Sequence, residues 1–430
     1  MKVLIIDQGK VGLHLALLAS WYGHDVMMFE PRGRDGKPSV IGAGIVATTD
    51  DWHPYVQWAD LVICTDNNKY AWELEPLHKR GVPIIGANKD AASLELDRGL
   101  GQRVLKQHGV QVSEGQTFTS YGKAIQFVKQ NSDQTFVSKP WGGADDKAMS
   151  YVPKSPADLV FMLQDWQAAG RHGEFLLQEK IGGHEMAVGG WFGPGGWCDW
   201  LNENWEEKRY MNGGLGDNTG EMGTIMRYVK RSKLFSEVLE PVTDYLHQVR
   251  YVGYVDMNCI VDDSGQPWPL EFTMRFGWPH YNIALSLHQG DPVEFLYNLY
   301  HGQDTLLVSE DIAAGIVMQR PTRSIHPAPI YGLTESVLDK VCLQEVQLAM
   351  APMMAGEKVV QERTLCTAGD YVLVTTGTGP TVRKASKSAT EVAWKIDWPG
   401  ARAFRTDIGE RMSKDLPALQ KYGYAKKMEF

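Results

Sequence analysis

Cysteine is scarce in this sequence, and its few copies follow no metal-binding or disulfide pattern. The five cysteines (Cys64, Cys198, Cys259, Cys342 and Cys366) are scattered over 430 residues and form no CxxC pair. An odd, dispersed set of this kind argues against a structural zinc site and for reduced thiols. We therefore expect a cytoplasmic protein.

Long apolar runs and an excess of positive charge are also missing. No window of 18 or more residues is uniformly apolar, so we expect no membrane span. The formal net charge of −9 argues against strong non-specific binding to nucleic acid, although it is compatible with a local basic groove.

Several common active-site signatures are absent as well. The sequence has no GxSxG nucleophile motif, and its 12 histidines show no metal-ligand spacing, so we interpret them as structural or surface residues. Gly9 and Gly12 follow the first predicted strand but complete only half of the GxGxxG fingerprint, which disfavours dinucleotide binding.

The N-terminal part of the chain alternates between strand and helix patterns. The apolar run KVLIID is followed by the helical pattern LHLALLASWYG, and the strands HDVMMFEP, ADLVICTD and VPIIGA come next, with the helix AWELEPLHKRG before the last of them. This order predicts a parallel sheet with crossover helices, that is, an α/β fold. Beyond residue 115 the strands are shorter, and beyond residue 325 a strand-rich tail begins. The length predicts two to four packed units.

The segment GYVDMNCIVDDSGQPWPLEFTMRFG predicts a β-hairpin around the turn DDSG. If the turn centres between Ser264 and Gly265, Asn258 lies opposite Glu271 and Asp256 lies opposite Thr273. Side chains alternate along a strand, so these four polar groups share one face. The other face would carry the apolar residues Val255, Met257, Cys259, Leu270, Phe272 and Met274.

A cluster of oxygen ligands on an otherwise apolar hairpin is what a magnesium ion bridging ATP phosphates requires. Arg275 follows on the same run and could reach a phosphoryl group or carboxylate in bidentate fashion. The alternative is a partly solvated hairpin with a polar outer face.

Two further segments carry weaker nucleotide-binding signals. In FVSKPWGGADDKAM, a strand ending in Lys139 meets a glycine-containing loop with Lys147, which could cradle phosphates. In FLLQEKIGGHE, a strand leads to Gln178 and Glu179, and Glu185 follows a Gly-Gly turn. Such a hinge can offer backbone groups to adenine and a carboxylate to ribose hydroxyls. For each segment taken alone, ordinary surface structure is the favoured interpretation.

The order of these signals resembles the ATP-grasp superfamily, and more specifically the glycinamide ribonucleotide synthetase (phosphoribosylamine–glycine ligase) family. The segments that carry the resemblance are GANKDAASLELDRGLGQRVL, GDNTGEMGT at 216–224, the hairpin above and RAFRTDIGERM. The resemblance implies a Rossmann-like N-terminal domain at 1–98, an ATP-grasp domain at 99–320 with a lid-like subdomain at about 115–190, and a strand-rich C-terminal domain at 321–430.

The resemblance also implies roles for individual residues, with ATP and Mg²⁺ (or Mn²⁺) as cofactors. The implied catalytic residues are Lys147, Arg275 and Glu271. The implied nucleotide-binding residues are Lys139, Lys147, Gln178, Glu179, Lys180, Ile181 and Glu185. The metal ligands would be Glu271, supported from the hairpin by Asn258, Asp256 and Thr273. The substrate residues would be Asn218, Thr219, Gly220 and Glu221 for an amino acid, and Gly9, Asp66, Asn67 and Arg411 for an amine.

The implied reaction is ATP-dependent phosphorylation of a carboxylate, followed by amide formation with an amine. Several positions depart from the family: Thr273 replaces an asparagine, Glu221 a glycine and Arg98 a lysine, FGWPH stands for FGDPE, and GKVGLH and TDNNKY replace family loops of the first domain. We therefore expect a small amino acid, with glycine favoured, to be activated, and a changed amine, such as a nucleotide or modified base, to be the acceptor. The enzyme would be a monomer or homodimer.

Two alternatives remain open. One is an authentic glycinamide ribonucleotide synthetase of purine biosynthesis whose phosphate contacts have moved to other residues. The other is a nucleotide-binding regulatory protein that has lost catalysis.

Overall fold

The computed structural model describes residues 1–8, 11–33, 35–140, 150–321 and 326–430. The N-terminal part forms the predicted parallel sheet, with strand order β3-β2-β1-β4-β5. Its elements are β1 (Lys2–Ile6), α1 (Gly12–Trp21), β2 (Asp25–Phe29), β3 (Thr48–Thr49), β4 (Leu61–Cys64), α2 (Lys69–Lys79) and β5 (Ile84–Ile85). Strands β1 and β4 are fully buried over most of their length, as expected for parallel strands covered on both faces.

A small antiparallel sheet follows two connecting helices. The elements are α3 (Lys89–Leu96), α4 (Arg98–Gln107), β6 (Gly115–Phe118), α5 (Tyr121–Gln130), β7 (Phe136–Pro140), α6 (Pro156–Ala168) and β8 (Phe175–Glu179). The strand order is β6-β8-β7, and the sheet shares an apolar core of its own with α5 and α6. The lid-like subdomain at about 115–190 stays a prediction.

The largest sheet of the described residues has eight strands in the order β13-β12-β9-β10-β11-β16-β20-β17. Its elements and their connections are β9 (His184–Gly193), β10 (Gly196–Met211), β11 (Leu215–Val229), α7 (Lys233–Val238), α8 (Thr243–Gln248), β12 (Gly253–Val261), β13 (Pro267–Thr273), α9 (His280–Ala284), β14 (His288–Gln289), α10 (Pro292–Tyr300), β15 (Leu307–Val308) and β16 (Ile312–Gln319). The C-terminal elements are α11 (Glu335–Leu338), β17 (Val341–Leu343), β18 (Val346–Ala355), β19 (Lys358–Thr367), β20 (Tyr371–Gly379), α12 (Val382–Lys395) and α13 (Met412–Lys421).

Only the hairpin of β18 and β19 in the strand-rich tail forms a sheet of its own. Strand β20 pairs with β16 along its whole length, and β17 pairs with β20, so both extend the eight-stranded sheet. The eight-stranded sheet therefore contains strands from both sides of the expected domain boundary at residue 321.

The two faces of the eight-stranded sheet differ in character. One face packs against α7, α12 and α13 through a wholly apolar cluster that includes Val255, Met257 and Phe272. The other, which we call the inner face, joins an apolar cluster shared with the N-terminal sheet and also carries buried polar residues, among them Asn204 and Asp256. Polar groups buried on only one side of a sheet require partners, and their arrangement defines the candidate site.

All five cysteines are free and buried. Within the described residues, no helix combines the length and apolar character that crossing a bilayer requires.

Candidate active site

The hairpin β12–β13 has the predicted register. Asp256 lies opposite Thr273, and Asn258 lies opposite Glu271. The next pair is Cys259 with Pro269, so one extra residue, Leu270, forms a β-bulge directly after the Asn258–Glu271 pair.

The bulge explains the one error in the predicted apolar face. Val255, Met257, Cys259, Phe272 and Met274 are buried in the outer cluster, as expected. Leu270 is only half-buried and lies outside that cluster, because the extra residue breaks the strict alternation of side chains.

Glu271 lies at the centre of a network of charges on the inner face. Its carboxylate accepts a hydrogen bond from Arg98 at 3.0 Å and lies 3.9 Å from the Lys208 ammonium. Lys208 also lies 3.0 Å from Glu206 and 3.9 Å from Glu185. Burial alone would lower the pKa of Lys208, but the three carboxylates raise it well above its usual value. The lysine is therefore a permanent cation between three acids.

Lys139, at the end of β7, approaches the same network from the small sheet. Burial, helped by the charge of Arg98 and opposed by that of Glu271, lowers the pKa of Lys139 to about 8. These couplings place three cations around Glu271. Lys147, the expected glycine-loop lysine, lies outside the described residues.

The oxygen donors near Glu271 suit a hard divalent cation. The side-chain N–H of Asn258 donates to Glu206 at 3.0 Å, so its side-chain oxygen is not used in this contact. Asn258 lies directly opposite Glu271 in the hairpin. Within the described residues, no group of three or more His, Cys, Asp or Glu side chains could hold a metal unaided. In proteins, Mg²⁺ is commonly held by one or two carboxylates together with substrate phosphates.

Asp256 has a different environment from Glu271. It accepts hydrogen bonds from Asn204 at 2.7 Å and from the Tyr254 hydroxyl at 3.2 Å. Burial, together with the charge of Glu206, raises the pKa of Asp256 to about 7. A carboxyl group that already accepts two hydrogen bonds and is partly protonated near neutral pH is a weaker metal ligand than Glu271. Thr273, opposite Asp256, makes no side-chain hydrogen bond among the described contacts.

Arg275 links the hairpin to the N-terminal domain. Its Nε donates to Glu95 at 3.1 Å, and the other Glu95 oxygen accepts from the Met274 backbone and the Asn67 side chain, each at 2.7 Å. Asp66 stays within its own loop, where it accepts from the backbone N–H of Asn67 at 2.8 Å. The Glu95 carboxylate thus connects the loop TDNNKY, through Asn67, to Arg275.

The expected adenine hinge forms the end of β8 and the connection to β9. Gln178 is buried and donates to the Ser113 carbonyl at 3.2 Å. Lys180 is exposed, and its ammonium group donates to the Pro153 carbonyl at 2.7 Å. The other candidates of this segment, Glu179 and Ile181, are exposed and half-buried respectively, and Glu185 lies on β9 in the Glu271 network.

The glycine-rich segment opens strand β11, and its residues have contrasting surroundings. Asn218 is exposed opposite Arg209, and the Thr219 hydroxyl donates to the Lys208 carbonyl at 2.9 Å. Gly220 abuts the Trp278 ring, because a Cβ at this position would lie 3.3 Å from it. Glu221 is buried, with 3% of its surface exposed.

Arg411 is engaged away from the N-terminal domain. It donates to Glu207 at 3.0 Å, to Asp415 at 3.2 Å and to the Glu206 carbonyl at 2.9 Å. Through these contacts Arg411 braces β10. Because its side chain is already occupied there, we do not retain it as a contact for the amine. Gly9, the other expected contact in the first turn, lies outside the described residues.

The N-terminal end of α1 is capped by a carboxylate of the chain itself. Asp7 accepts from the backbone N–H of Gly12 at 2.9 Å and of Val11 at 3.4 Å, and from the Thr65 hydroxyl at 2.5 Å. A side chain at position 12 would place its Cβ 2.7 Å from Asp7, so glycine is required for this approach. Burial raises the pKa of the adjacent Glu30, and the charge of Asp7 raises it further.

Three residues of the network were not identified from the sequence: Glu95, Glu206 and Lys208. The last two belong to β10, where positions 202–209 are all polar except Trp205. Because polar residues occupy both faces of this stretch, the sequence shows no period of two that would have indicated a polar inner face. A cavity of about 640 Å³ lies elsewhere, lined by residues such as His78 and Arg250, and contains no member of this network.

Comparison with known proteins agrees with this architecture. Residues 97–281 match the family model described as phosphoribosylglycinamide synthetase, ATP-grasp (A) domain. A phosphoribosylamine–glycine ligase from Allochromatium vinosum is 26% identical over 438 residues, covering 96% of this chain and 98% of that protein. A trifunctional purine biosynthetic protein from Drosophila pseudoobscura pseudoobscura is 26% identical over 391 residues, covering 85% of this chain but only 28% of that protein.

The fold comparison points the same way. The crystal structure of a phosphoribosylamine–glycine ligase from Thermotoga maritima superposes with a TM-score of 0.71 at 19% identity, covering 95% of this chain and 100% of that one. The parallel N-terminal sheet, the small three-stranded sheet and the charged inner face therefore accompany a segment, residues 97–281, that is similar to the ATP-grasp (A) domain of phosphoribosylglycinamide synthetase. Over nearly its whole length, the chain is similar in fold to a phosphoribosylamine–glycine ligase, from which its sequence is divergent.

Proposed function

We propose that this protein is an ATP-dependent ligase that joins a carboxylate to an amine and releases ADP and phosphate. The observation that carries the proposal is the position of Glu271, which lies between Arg98 and Lys208 and directly opposite Asn258. Anionic phosphates and their metal need such a set of fixed cations beside an oxygen donor. The free cysteines favour a reducing, cytoplasmic setting.

The residues divide into nucleotide-binding and metal-binding groups. Lys139, Arg98 and Lys208 would neutralise the phosphates, while the hinge at 178–181 and Glu185 would hold the nucleoside. Glu271 and Asn258 would hold Mg²⁺ (or Mn²⁺), with Glu206 as a further donor beside Asn258. When bound, the metal screens the charge of the phosphate oxygens.

The reaction has two steps. An oxygen of the substrate carboxylate attacks the γ-phosphorus of ATP, the bond from that phosphorus to the ADP oxygen breaks, and an acyl phosphate forms. The amine nitrogen then attacks the acyl carbon, phosphate leaves with the electron pair of the broken C–O bond, and the nitrogen loses a proton. Positioning by fixed cations and exclusion of water supply most of the rate enhancement.

The acceptor is an amine without a phosphate ester. A bound phosphate monoester needs several free backbone N–H groups, which a helix N-terminus supplies. Here the Asp7 carboxylate occupies the Val11 and Gly12 N–H groups at the start of α1. A second anion at this point would be repelled by Asp7.

The ligase proposal is tested by ADP release from Mg-ATP with a panel of small carboxylates and amines. We expect ADP release that requires both substrates and is abolished by Glu271→Gln, which keeps the shape of the side chain but removes its charge. Glu391→Gln, at an exposed surface pair on α12, is the matched control. Unchanged ADP release in Glu271→Gln would contradict the proposal.

The acceptor proposal is tested in a strain that lacks glycinamide ribonucleotide synthetase. We expect no purine-independent growth from a well-expressed protein that hydrolyses ATP in vitro. Robust growth would show that phosphoribosylamine is the acceptor after all.

A further inference from the structure

The hairpin of β18 and β19 has an exposed apolar end. Met350, Met354 and Val359 are 58%, 64% and 69% exposed. The base of the hairpin is covered, and there the Leu348 N–H donates to the Ala43 carbonyl at 2.9 Å. A two-stranded ribbon is marginally stable in water by itself, so the exposed part of this ribbon would be stabilised by pairing with a further strand.

The outer edge of β19, which is the side that faces away from β18, offers such a pairing surface. At the base of the strand, the backbone of Leu365 and of Thr367 bonds outward to the segment 328–330, each at 2.9 Å. The pairing of β18 with β19 has no bulge, and backbone groups alternate in direction along an antiparallel strand. The residues at 359, 361 and 363 therefore also direct their N–H and C=O groups outward, and the described residues form no hydrogen bond with them.

The charges along this edge complement a second copy of the same edge. Residues 357 to 363 read EKVVQER. Two copies that pair antiparallel about a two-fold axis at Val360 place Lys358 of each copy opposite Glu362 of the other, and Glu357 opposite Arg363. Because each pair occurs twice, four pairs of opposite charge form, and Val360 lies opposite its own copy.

The direction of the backbone groups favours the same register. A hydrogen-bonded ladder requires an outward-directed residue of one copy to lie opposite an outward-directed residue of the other. Pairing about Val360 meets this condition, because it places Val359 opposite Gln361. A two-fold axis at either of these neighbouring residues would also meet it, but would place Lys358 opposite Val360 or Thr364 and leave its charge unpaired.

We propose that the outer edge of β19 pairs with the same edge of a second copy of this chain, so that two hairpins form one four-stranded antiparallel sheet. Edge strands commonly use charged side chains to prevent such pairing. Here the reversed order of Lys358 and Glu362 turns the charges into an attraction between copies. Seven residues on each side form a small interface, so the dimer is weak, and its exposed ion pairs make it sensitive to salt.

The test uses Lys358 and Glu362, since the Arg363 side chain packs against Gly44 of its own chain. Sedimentation velocity over a concentration series, at low and at high ionic strength, gives the Kd of the dimer. Lys358→Glu and Glu362→Lys each replace two attractive pairs of the dimer by two pairs of like charge. The matched controls, which make the same charge changes at an exposed ion pair of α12, are Lys387→Glu and Glu391→Lys.

A further variant, Gln361→Pro, tests the backbone ladder. It removes an outward-directed N–H group and no hydrogen bond to β18, and edge strands tolerate proline at such positions. Thermal unfolding of this variant and of the charge variants checks that the chain still folds. We expect Gln361→Pro to unfold cooperatively and to remain monomeric.

We expect the wild-type protein to dimerise, with a Kd that rises with ionic strength. Lys358→Glu and Glu362→Lys should each raise the Kd by about tenfold, because two cross-strand pairs change from attraction to repulsion. Glu362→Lys also makes the net charge of −9 less negative, so repulsion between whole molecules would predict tighter association of this variant instead. Both controls should dimerise like the wild-type protein.

An equimolar mixture of Lys358→Glu and Glu362→Lys should recover association. In the mixed dimer, two carboxylates of one chain lie opposite two ammonium groups of the other. A change that acted only on the fold of each chain would give no recovery.

A wild-type protein that stays monomeric at every concentration would overturn the inference. Dimers whose Kd is unchanged in both charge variants would overturn it as well, since the interface would then lie elsewhere, and so would a mixture that fails to associate. The measurement involves no ADP release, so the ligase proposal is tested independently of it.

Discussion

Replacing Lys208 by methionine tests whether the charge network holds the site together. The substitution keeps the length of the side chain but leaves Glu185, Glu206 and Glu271 without the cation that lies 3.0–3.9 Å from them. At such distances each pair contributes about 4 kcal/mol of gross attraction in a medium of intermediate dielectric constant. These side chains remain 20–37% exposed, so most of that attraction is offset by lost hydration.

We expect a net loss of about 2 kcal/mol, between the values typical of surface pairs and of fully buried ones. For a chain of this size, that loss lowers Tm by about 2–4 °C. Thermal unfolding followed by calorimetry, with Lys387→Met at an exposed ion pair as control, measures the effect. Because three carboxylates lose their counter-ion, Mg²⁺ alone should then raise the Tm of Lys208→Met more than that of the control. Equal Tm values, or an equal response to Mg²⁺, would refute the network.

Two further predictions concern the metal and the nucleotide. Asn258→Ala should raise the Mg²⁺ concentration required for half-maximal ADP release while leaving Tm nearly unchanged; an unchanged requirement would exclude Asn258 as a ligand. Because the pKa of Lys139 is lowered to about 8, this lysine loses its charge as the pH of the free protein rises through 8. Bound phosphates favour the charged form and raise this pKa, so the Kd of ADP should increase by up to about tenfold per pH unit above pH 8. Calorimetric titration should show this slope in the wild-type protein but not in Lys139→Met, and a slope that persists in the variant would contradict the assignment.

The hairpin was predictable because its determinants are local. The turn DDSG predicts the hairpin, and the alternation of side chains places Asp256 and Asn258 on one face. The bulge at Leu270 was not predictable, because an extra residue in one strand leaves no mark in the hydrophobic pattern. Next to the turn, Val261 lies opposite Pro267, one residue out of the predicted register, and the extra residue restores the predicted pairs Asn258–Glu271 and Asp256–Thr273 beyond it.

The rest of the site depends on contacts between distant segments. Lys208 and Glu271 are 63 positions apart (271 − 208), and Arg98 reaches Glu271 across 173 positions. Sequence patterns specify which face a residue occupies but not which other strand lies beside it. Arg411 illustrates the opposite error: its family motif suggested a substrate contact, whereas the packing of α13 against the central sheet places it beside Glu207.

The departures from the family share one physical feature. At the first turn, the Asp7 carboxylate occupies backbone donors that could otherwise bind an anion, and at the start of β11, Glu221 introduces a buried carboxylate where the family has glycine. The hairpin that would bind the nucleotide keeps Glu271 and Arg275, because the phosphates of ATP impose the same requirements whatever the other substrates are. In the regions proposed for the other substrates, Asp7 and Glu221 place carboxylates instead. A carboxylate repels a bound phosphate ester, so Asp7 supports the proposal that the acceptor is an amine without one.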